Sequence, residues 1–206
     1  GTPDDYAFAY LPPILKRFAE THPAVQVDVV CSPSHELMHR IKAGELDLTL
    51  ISNGHQPADW PAVPLWRAPL VWVTSTRFAP HRQDPLPLAL ADREPFLARG
   101  QDCDWAGAAV HALERAGRRY RIAYTSASQI GTHAPVLAGL AVTVSTLSWL
   151  PQGLRALRPE EGLPGLPEFG IVLLKGKRPL RPVTDALAAH IEESFALDVG
   201  RAVAAE

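Results

Sequence analysis

The chain has 206 residues, 47% of them hydrophobic and 20% charged, and its 20 Lys and Arg against 22 Asp and Glu give a formal net charge of -2. Such average composition excludes a disordered tail or a fibrous repeat, and the missing basic excess argues against direct nucleic-acid binding by these residues. Folding at this length removes roughly 70% of the unfolded surface from water, enough for one domain or two small lobes; two lobes are expected.

From Leu11 the apolar residues Leu11, Ile14, Leu15 and Phe18 fall on one helical face, with Pro12 and Pro13 suited to a first turn and His22-Pro23 to a stop. Val25, Val27 and Val29 alternate with Gln26 and Asp28 as in a half-buried strand. Ser34 stands where an N-cap precedes a helix ending at Gly44, and Leu46, Leu48 and Leu50 form the next strand. This β-α-β rhythm, with connections too long for hairpins, predicts parallel strands covered by helices.

A long β-rich run, Leu65 to Ser75, follows Pro61 and Pro64 and suits a strand passing between two lobes. The Pro-rich stretch Pro80 to Pro87 opens a middle region with a helix Asp104 to Ala116, a strand Arg119 to Tyr124 and a helix Ser128 to Gly139. After the turn-rich segment Pro151 to Pro167 come a second bridging strand, Ile171 to Leu174, and a helix carrying Val183, Leu187, Ile191 and Phe195, which returns to the first lobe. Cys31 and Cys103, far apart in a chain with ample core, are expected to be reduced thiols in a cytoplasmic setting. The longest apolar stretches fall short of the roughly 18 residues of a spanning helix, so no membrane partner is expected.

His35-Glu36-Leu37-Met38-His39 matches the H-E-x-x-H zinc-peptidase pattern, but the helix is short and no third ligand is evident; Leu37, Met38 and Ile41 make a packing face and His35, His39 and Lys42 a polar stripe. Gly-x-Ser-x-Gly, Gly-x-Gly-x-x-Gly and Gly-x-x-x-x-Gly-Lys are absent, so no catalytic residue, cofactor or metal is expected. Arg115, Arg118, Arg119 and Arg121 read as a solvated helix end. More informative are four polar clusters placed after strands: Asp4, Asp5 and Tyr6; Ser32, Pro33 and Ser34; Ser52 and Asn53; and Thr125, Ser126 and Ser128. The ligand crevice of an open parallel sheet lies outside the carboxyl ends of its strands, so these four mark a cleft for a small polar molecule.

The segments Leu11-Pro-Pro-Ile-Leu-Lys-Arg-Phe-Ala-Glu-Thr-His-Pro23, Gly44-Glu-Leu-Asp-Leu-Thr-Leu-Ile51 and Val136-Leu-Ala-Gly-Leu-Ala-Val142, with the helix opening at Arg181-Pro-Val-Thr-Asp-Ala-Leu, together resemble the effector-binding domain of LysR-type transcriptional regulators. The resemblance implies an α/β fold like a two-lobed type 2 periplasmic-binding protein, each lobe a mostly parallel sheet flanked by helices, joined by two crossover strands. Lobe I would comprise residues 1–72 and 176–206, and lobe II residues 73–175. By position, the four polar clusters would hold a small-molecule effector. The resemblance further implies an upstream winged helix-turn-helix and a first strand leading into Gly1, both outside these residues, DNA binding through that missing domain, and a homodimer or homotetramer. In its side-by-side pairing, Val27 to Cys31 and the Ser34 to Ala43 helix would meet the helix bearing Ile130 and Leu137, placing His35 and His39 beside a subunit contact. Ala141 stands where the family often has Gly. A free-standing solute-binding protein of the same fold, and a zinc hydrolase using His35, Glu36 and His39, are the alternatives.

Overall fold

The computed structural model describes residues 1–91, 105–147, 150–177 and 181–203, and the chain divides into two compact units, Gly1–Arg67 with Gly170–Glu206 and Ala68–Phe169. The division falls within or beside the two strands expected to pass between lobes, β2 (Ala62–Ser75) and β7 (Glu168–Lys175).

Unit 1 begins with α1, Asp4–Thr21, which starts seven residues before the predicted helix. Pro12 and Pro13 are therefore interior, not in the first turn, and each removes one backbone hydrogen bond. The helix continues through them because Tyr6, Tyr10, Ile14 and Phe18 bury an unbroken stripe, and because Asp4 and Asp5 meet the positive end of the helix dipole. It packs against α5, Pro182–Val203, through Tyr10 on Phe195 at 4.6 Å between rings and through Arg17 Nη2 donating to the His190 carbonyl at 3.1 Å. Helix α2, Ser34–Ala43, stops where Gly44 takes a left-handed φ of 74°. Leu37, Met38 and Ile41 of α2 pack with Ile51, Trp60, Val172 and Leu174, as the packing reading of this helix requires. Strand β1, Leu48–Ser52, pairs antiparallel with β7 in the register Leu50↔Leu173. The stretch Val25 to Val30 carries no strand; its pairing is a single parallel bridge from Cys31 to Thr2, so alternation there finds no ladder to join.

Unit 2 contains β3 (Leu86–Ala91), α3 (Trp105–Arg115), β4 (Tyr120–Ser126), α4 (Gln129–Leu137), β5 (Thr143–Thr146) and β6 (Leu154–Ala156). Strands β3 and β4 pair parallel, Leu88 bridges parallel to Val142, and β2 pairs antiparallel with β5 and β6. Parallel laddering thus belongs to the β3-α3-β4 unit rather than to the β-α-β run expected from Val25 to Leu50, and antiparallel pairing comes with the long connecting strands. The core combines Leu86, Leu88 and Leu90 of β3 with Ala109 and Leu113 of α3 and Val144 of β5. Sequence reading placed no strand over β3, because Pro85 and Pro87 mask an apolar run that is buried on both faces. Arg118 and Arg119 are more than a solvated helix end: Arg118 Nη2 donates to the Gln83 carbonyl at 2.7 Å, and Arg119 Nη2 to Asp84 Oδ2 at 2.6 Å, tying the approach to β3. Arg155 grips Glu161 with two bonds of 2.7 Å and holds that carboxyl well below its usual range, at about 2.

Among the described residues no helix is long and apolar enough to cross a membrane. Cys31 is an exposed free thiol, and Cys103 and Asp104 lie outside the described residues.

Candidate functional site

Three of the four predicted clusters converge in unit 1. Helices α1 and α2 both start after a proline, Pro3 and Pro33, and neither has a hydrogen bond from its N-cap side chain. Backbone bonds hold the two starts together: Thr2 N–H donates to the Val30 carbonyl at 3.0 Å, and Ser32 N–H to the Thr2 carbonyl at 3.3 Å. Asp4, Asp5 and Tyr6 therefore occupy the first helical turn rather than a loop, and Ser34 is the first residue of α2 rather than its cap. The reason in both cases is the preceding proline, whose fixed φ and extended backbone supply the non-helical residue that the serine was expected to be.

Freed from capping, Ser34 acts between elements. Its Oγ accepts from the Ser52 N–H at 3.2 Å, and the Ser52 hydroxyl pairs with the Tyr6 hydroxyl at 2.8 Å. Ser52 is the last residue of β1, not a loop residue, so this chain of hydroxyls joins α2, β1 and α1. All three side chains are buried. Burial pushes the Tyr6 phenol far above its usual range, so it remains neutral. Asn53 follows on the surface: its N–H donates to the Gly170 carbonyl at 2.7 Å and its Oδ1 accepts from Gln56 Nε2 at 2.6 Å. A Cβ at Gly170 would sit 3.1 Å from the Asn53 Cβ, so glycine permits this close approach.

Asp5 is also strongly perturbed. It is 6% exposed, its Oδ2 has no hydrogen-bond partner among the described residues, and burial pushes its carboxyl up to about 7, opposed in part by a backbone hydrogen bond from Tyr6. A buried carboxyl in that state can hold a proton or meet a hydrogen-bonding or cationic group near neutral pH.

The fourth cluster lies in unit 2. Thr125 and Ser126 end β4, with Thr125 exposed, and Ser128 caps α4: its Oγ accepts from the Ile130 N–H at 3.2 Å. Ser126 Oγ accepts from the Ser128 N–H at 3.1 Å. Gly131 allows that arrangement, since a Cβ there would overlap the Ser126 side chain. Behind the serines, Gln129 Nε2 donates to the Val144 carbonyl at 3.1 Å and lies 3.4 Å from His133 Nε2. His133 is buried, which lowers its pKa to about 4 and keeps the ring neutral.

Sequence reasoning missed Thr2, Gln129, Gly131, His133 and Gly170. An alternation-based reading assigns them to turns or helix interiors, and only their tertiary neighbours give them roles. Among the described residues no three His, Cys, Asp or Glu side chains gather as metal ligands; on α2, His35 is half-buried and His39 exposed, away from the Leu37, Met38 and Ile41 face.

The family described as LysR substrate binding domain matches residues 1–196. The chain is 38% identical over 191 residues to the HTH-type transcriptional regulator DgdR of Burkholderia cepacia, covering 93% of this chain and 62% of that protein. It is 29% identical over 193 residues to the HTH-type transcriptional regulator PecT of Dickeya dadantii (strain 3937), covering 93% and 58%. It thus spans about three fifths of the length of these relatives. The regulatory domain of Synechocystis PCC6803 CcmR, solved in complex with 2-PG, has the same fold, with a TM-score of 0.69 at 15% identity and coverage of 94% of each chain.

Proposed function

The chain belongs to the LysR substrate binding domain family, and from that premise we propose that it is the effector-sensing part of a bacterial transcriptional regulator. It binds a small polar molecule, for which unit 1 offers Asp4, Asp5, Tyr6, Ser32, Pro33, Ser34, Ser52 and Asn53 and unit 2 offers Thr125, Ser126 and Ser128. The observation that carries this reading is the polar cluster of unit 1, where two helix starts meet a buried hydroxyl chain and a buried carboxyl oxygen that has no hydrogen-bond partner among the described residues.

The effector is bound and released unchanged: its differential affinity for two arrangements of the units shifts their populations, and the subunit geometry of a homodimer or homotetramer follows. Through a preceding helix-turn-helix domain, of the kind named in DgdR and PecT, that geometry controls DNA binding in the cytoplasm. Exposed apolar side chains support subunit pairing through the faces expected from the family: Val29 in unit 1, Ile130 and Leu137 in unit 2.

A thermal-shift screen against small polar metabolites tests the reading, because a ligand that binds only the native state raises its melting temperature. A saturable stabiliser is expected, and Ser34→Ala or Ser126→Ala should weaken its affinity by about 1 to 3 kcal/mol through loss of a buried partner. A stabiliser whose affinity neither substitution changes would reject these sites. Turnover of the bound compound would reject the sensing role.

A further inference from the structure

Helix starts ordinarily attract anions, because their first N–H groups and the positive end of the dipole face the ligand. Both helix starts of unit 1 depart from that condition. Asp4 and Asp5 stand in the first turn of α1 and Glu36 in the first turn of α2, so each dipole already meets negative charge from its own helix. The two starts adjoin: Thr2 is bonded to Val30 and Ser32, and Tyr6, which follows Asp5, reaches α2 through Ser52 and Ser34. An anion arriving here would meet carboxylates rather than bare N–H groups.

Asp5 is the acid that the fold leaves unanswered. It is 6% exposed, and among the described residues its Oδ2 accepts no hydrogen bond. The cations of unit 1 pair elsewhere, Arg17 with Glu193 and Lys175 with Asp185 and Glu192. The carboxyl lies against the backbone N–H groups of Tyr6 and of Asp5 itself. First-turn N–H groups point out of the helix end, so the carboxyl faces the joined starts and not the flank where Tyr10 and Phe18 meet α5.

Several kinds of group can complete such a carboxyl. A proton removes its charge, and burial together with Asp4 favours that up to about pH 7. A metal ion needs more donors than this place has, since no three His, Cys, Asp or Glu side chains gather among the described residues. A hydroxyl supplies one hydrogen bond and leaves the charge in place. An ammonium supplies both the bond and the opposite charge, in an enclosed setting where the pair is least screened.

Resting on the effector-sensing reading above, we propose that Asp5 is the specificity-determining residue of the site and that the effector bears an ammonium group, as an amine or an amino acid does. The ammonium donates to the Asp5 carboxylate, any proton on Asp5 leaves to solvent, and Asp4 adds attraction of the same sign. An analogue with hydroxyl in place of the amino group keeps the shape and loses the charge.

Thermal shift at about pH 8, where Asp5 is largely ionised, tests this with matched probes. The common amino acids and simple amines are each set beside the compound with hydroxyl in place of amino: glycine and glycolate, L-alanine and L-lactate, ethanolamine and ethylene glycol. At least one amino compound should raise the Tm saturably, and its hydroxy counterpart should bind roughly tenfold or more weaker, as for a lost charge-assisted hydrogen bond. Asp5→Asn should weaken the amino compound by a similar factor and abolish the preference within the pair. If Asp5→Asn does not fold, the preference within each pair in the parent chain decides. A stabiliser without an amino group, or an amino stabiliser bound equally by Asp5→Asn, would overturn the assignment to Asp5 and leave the sensing role standing. A chain that no small molecule stabilises would overturn both.

Discussion

Hydroxyl groups at helix starts serve opposite ends in the two units. In unit 2, Ser128 and Ser126 satisfy the backbone of their own helix start. In unit 1 a proline occupies the capping position of both helices, and Ser34, Ser52 and Tyr6 connect three separate elements instead. The buried titratable groups differ in the same way. Asp5 binds its proton more tightly in the folded protein than in the unfolded chain, and His133 less tightly. Identical residue types at similar places thus acquire their roles from what stands beside them.

The contrast is sharpest in pH dependence. Between the ordinary carboxyl value of 3.8 and about 7, Asp5 holds more proton folded than unfolded, so its contribution is full below the lower value and lost as pH rises through the upper, about 4 kcal/mol in all. His133 works in the reverse sense: between about 4 and 6.5 the unfolded chain binds more proton, so stability rises with pH by about 3 kcal/mol. The two slopes oppose each other across the shared window. Urea denaturation of Asp5→Asn from pH 4 to 8 should show the rise alone, leaving the variant more stable than the parent above pH 7. A variant that keeps the parent's pH profile would remove Asp5 from the comparison.

Next in size, Gly131→Ala should cost about 1 to 3 kcal/mol, because the new Cβ meets Ser126 and either the β4 end or the α4 start must shift. An unchanged denaturation midpoint would mean that Ser126 moves freely. Tyr6→Phe should cost about 1 to 2 kcal/mol by leaving the buried Ser52 hydroxyl without its partner. The smallest effect is expected for Ser128→Ala, about 1 kcal/mol for a lost cap with an exposed alternative in water, also read from denaturation midpoints. If Ser128→Ala costs more than Tyr6→Phe, self-capping outweighs cross-linking and the contrast between units fails.

Much of the fold was legible in the chain, and the exceptions have physical causes. The apolar spacing of Leu37, Met38 and Ile41 and the glycine at 44 place α2 almost to the residue. Helix α1 was read short because prolines at 12 and 13 are start signals in isolation, whereas buried Tyr6 and Tyr10 carry the helix past them. Strand β3 was hidden by Pro85 and Pro87, and Val25 to Val30 was read as a strand although no ladder forms there. Of the site, the polar residue types at strand ends were visible; the link from Tyr6 through Ser52 to Ser34 was not, since it joins positions 46 and 18 residues apart.

Sequence alone determined helix α2 and the strand after it, the absence of recognisable catalytic and nucleotide-binding motifs, and the resemblance to one regulator family, because periodicity and short motifs are local. Tertiary structure decided which hydroxyls cap and which connect, and why Asp5 and His133 titrate in opposite senses. Those properties depend on burial and on partners distant in the chain, and neither is a function of local spacing.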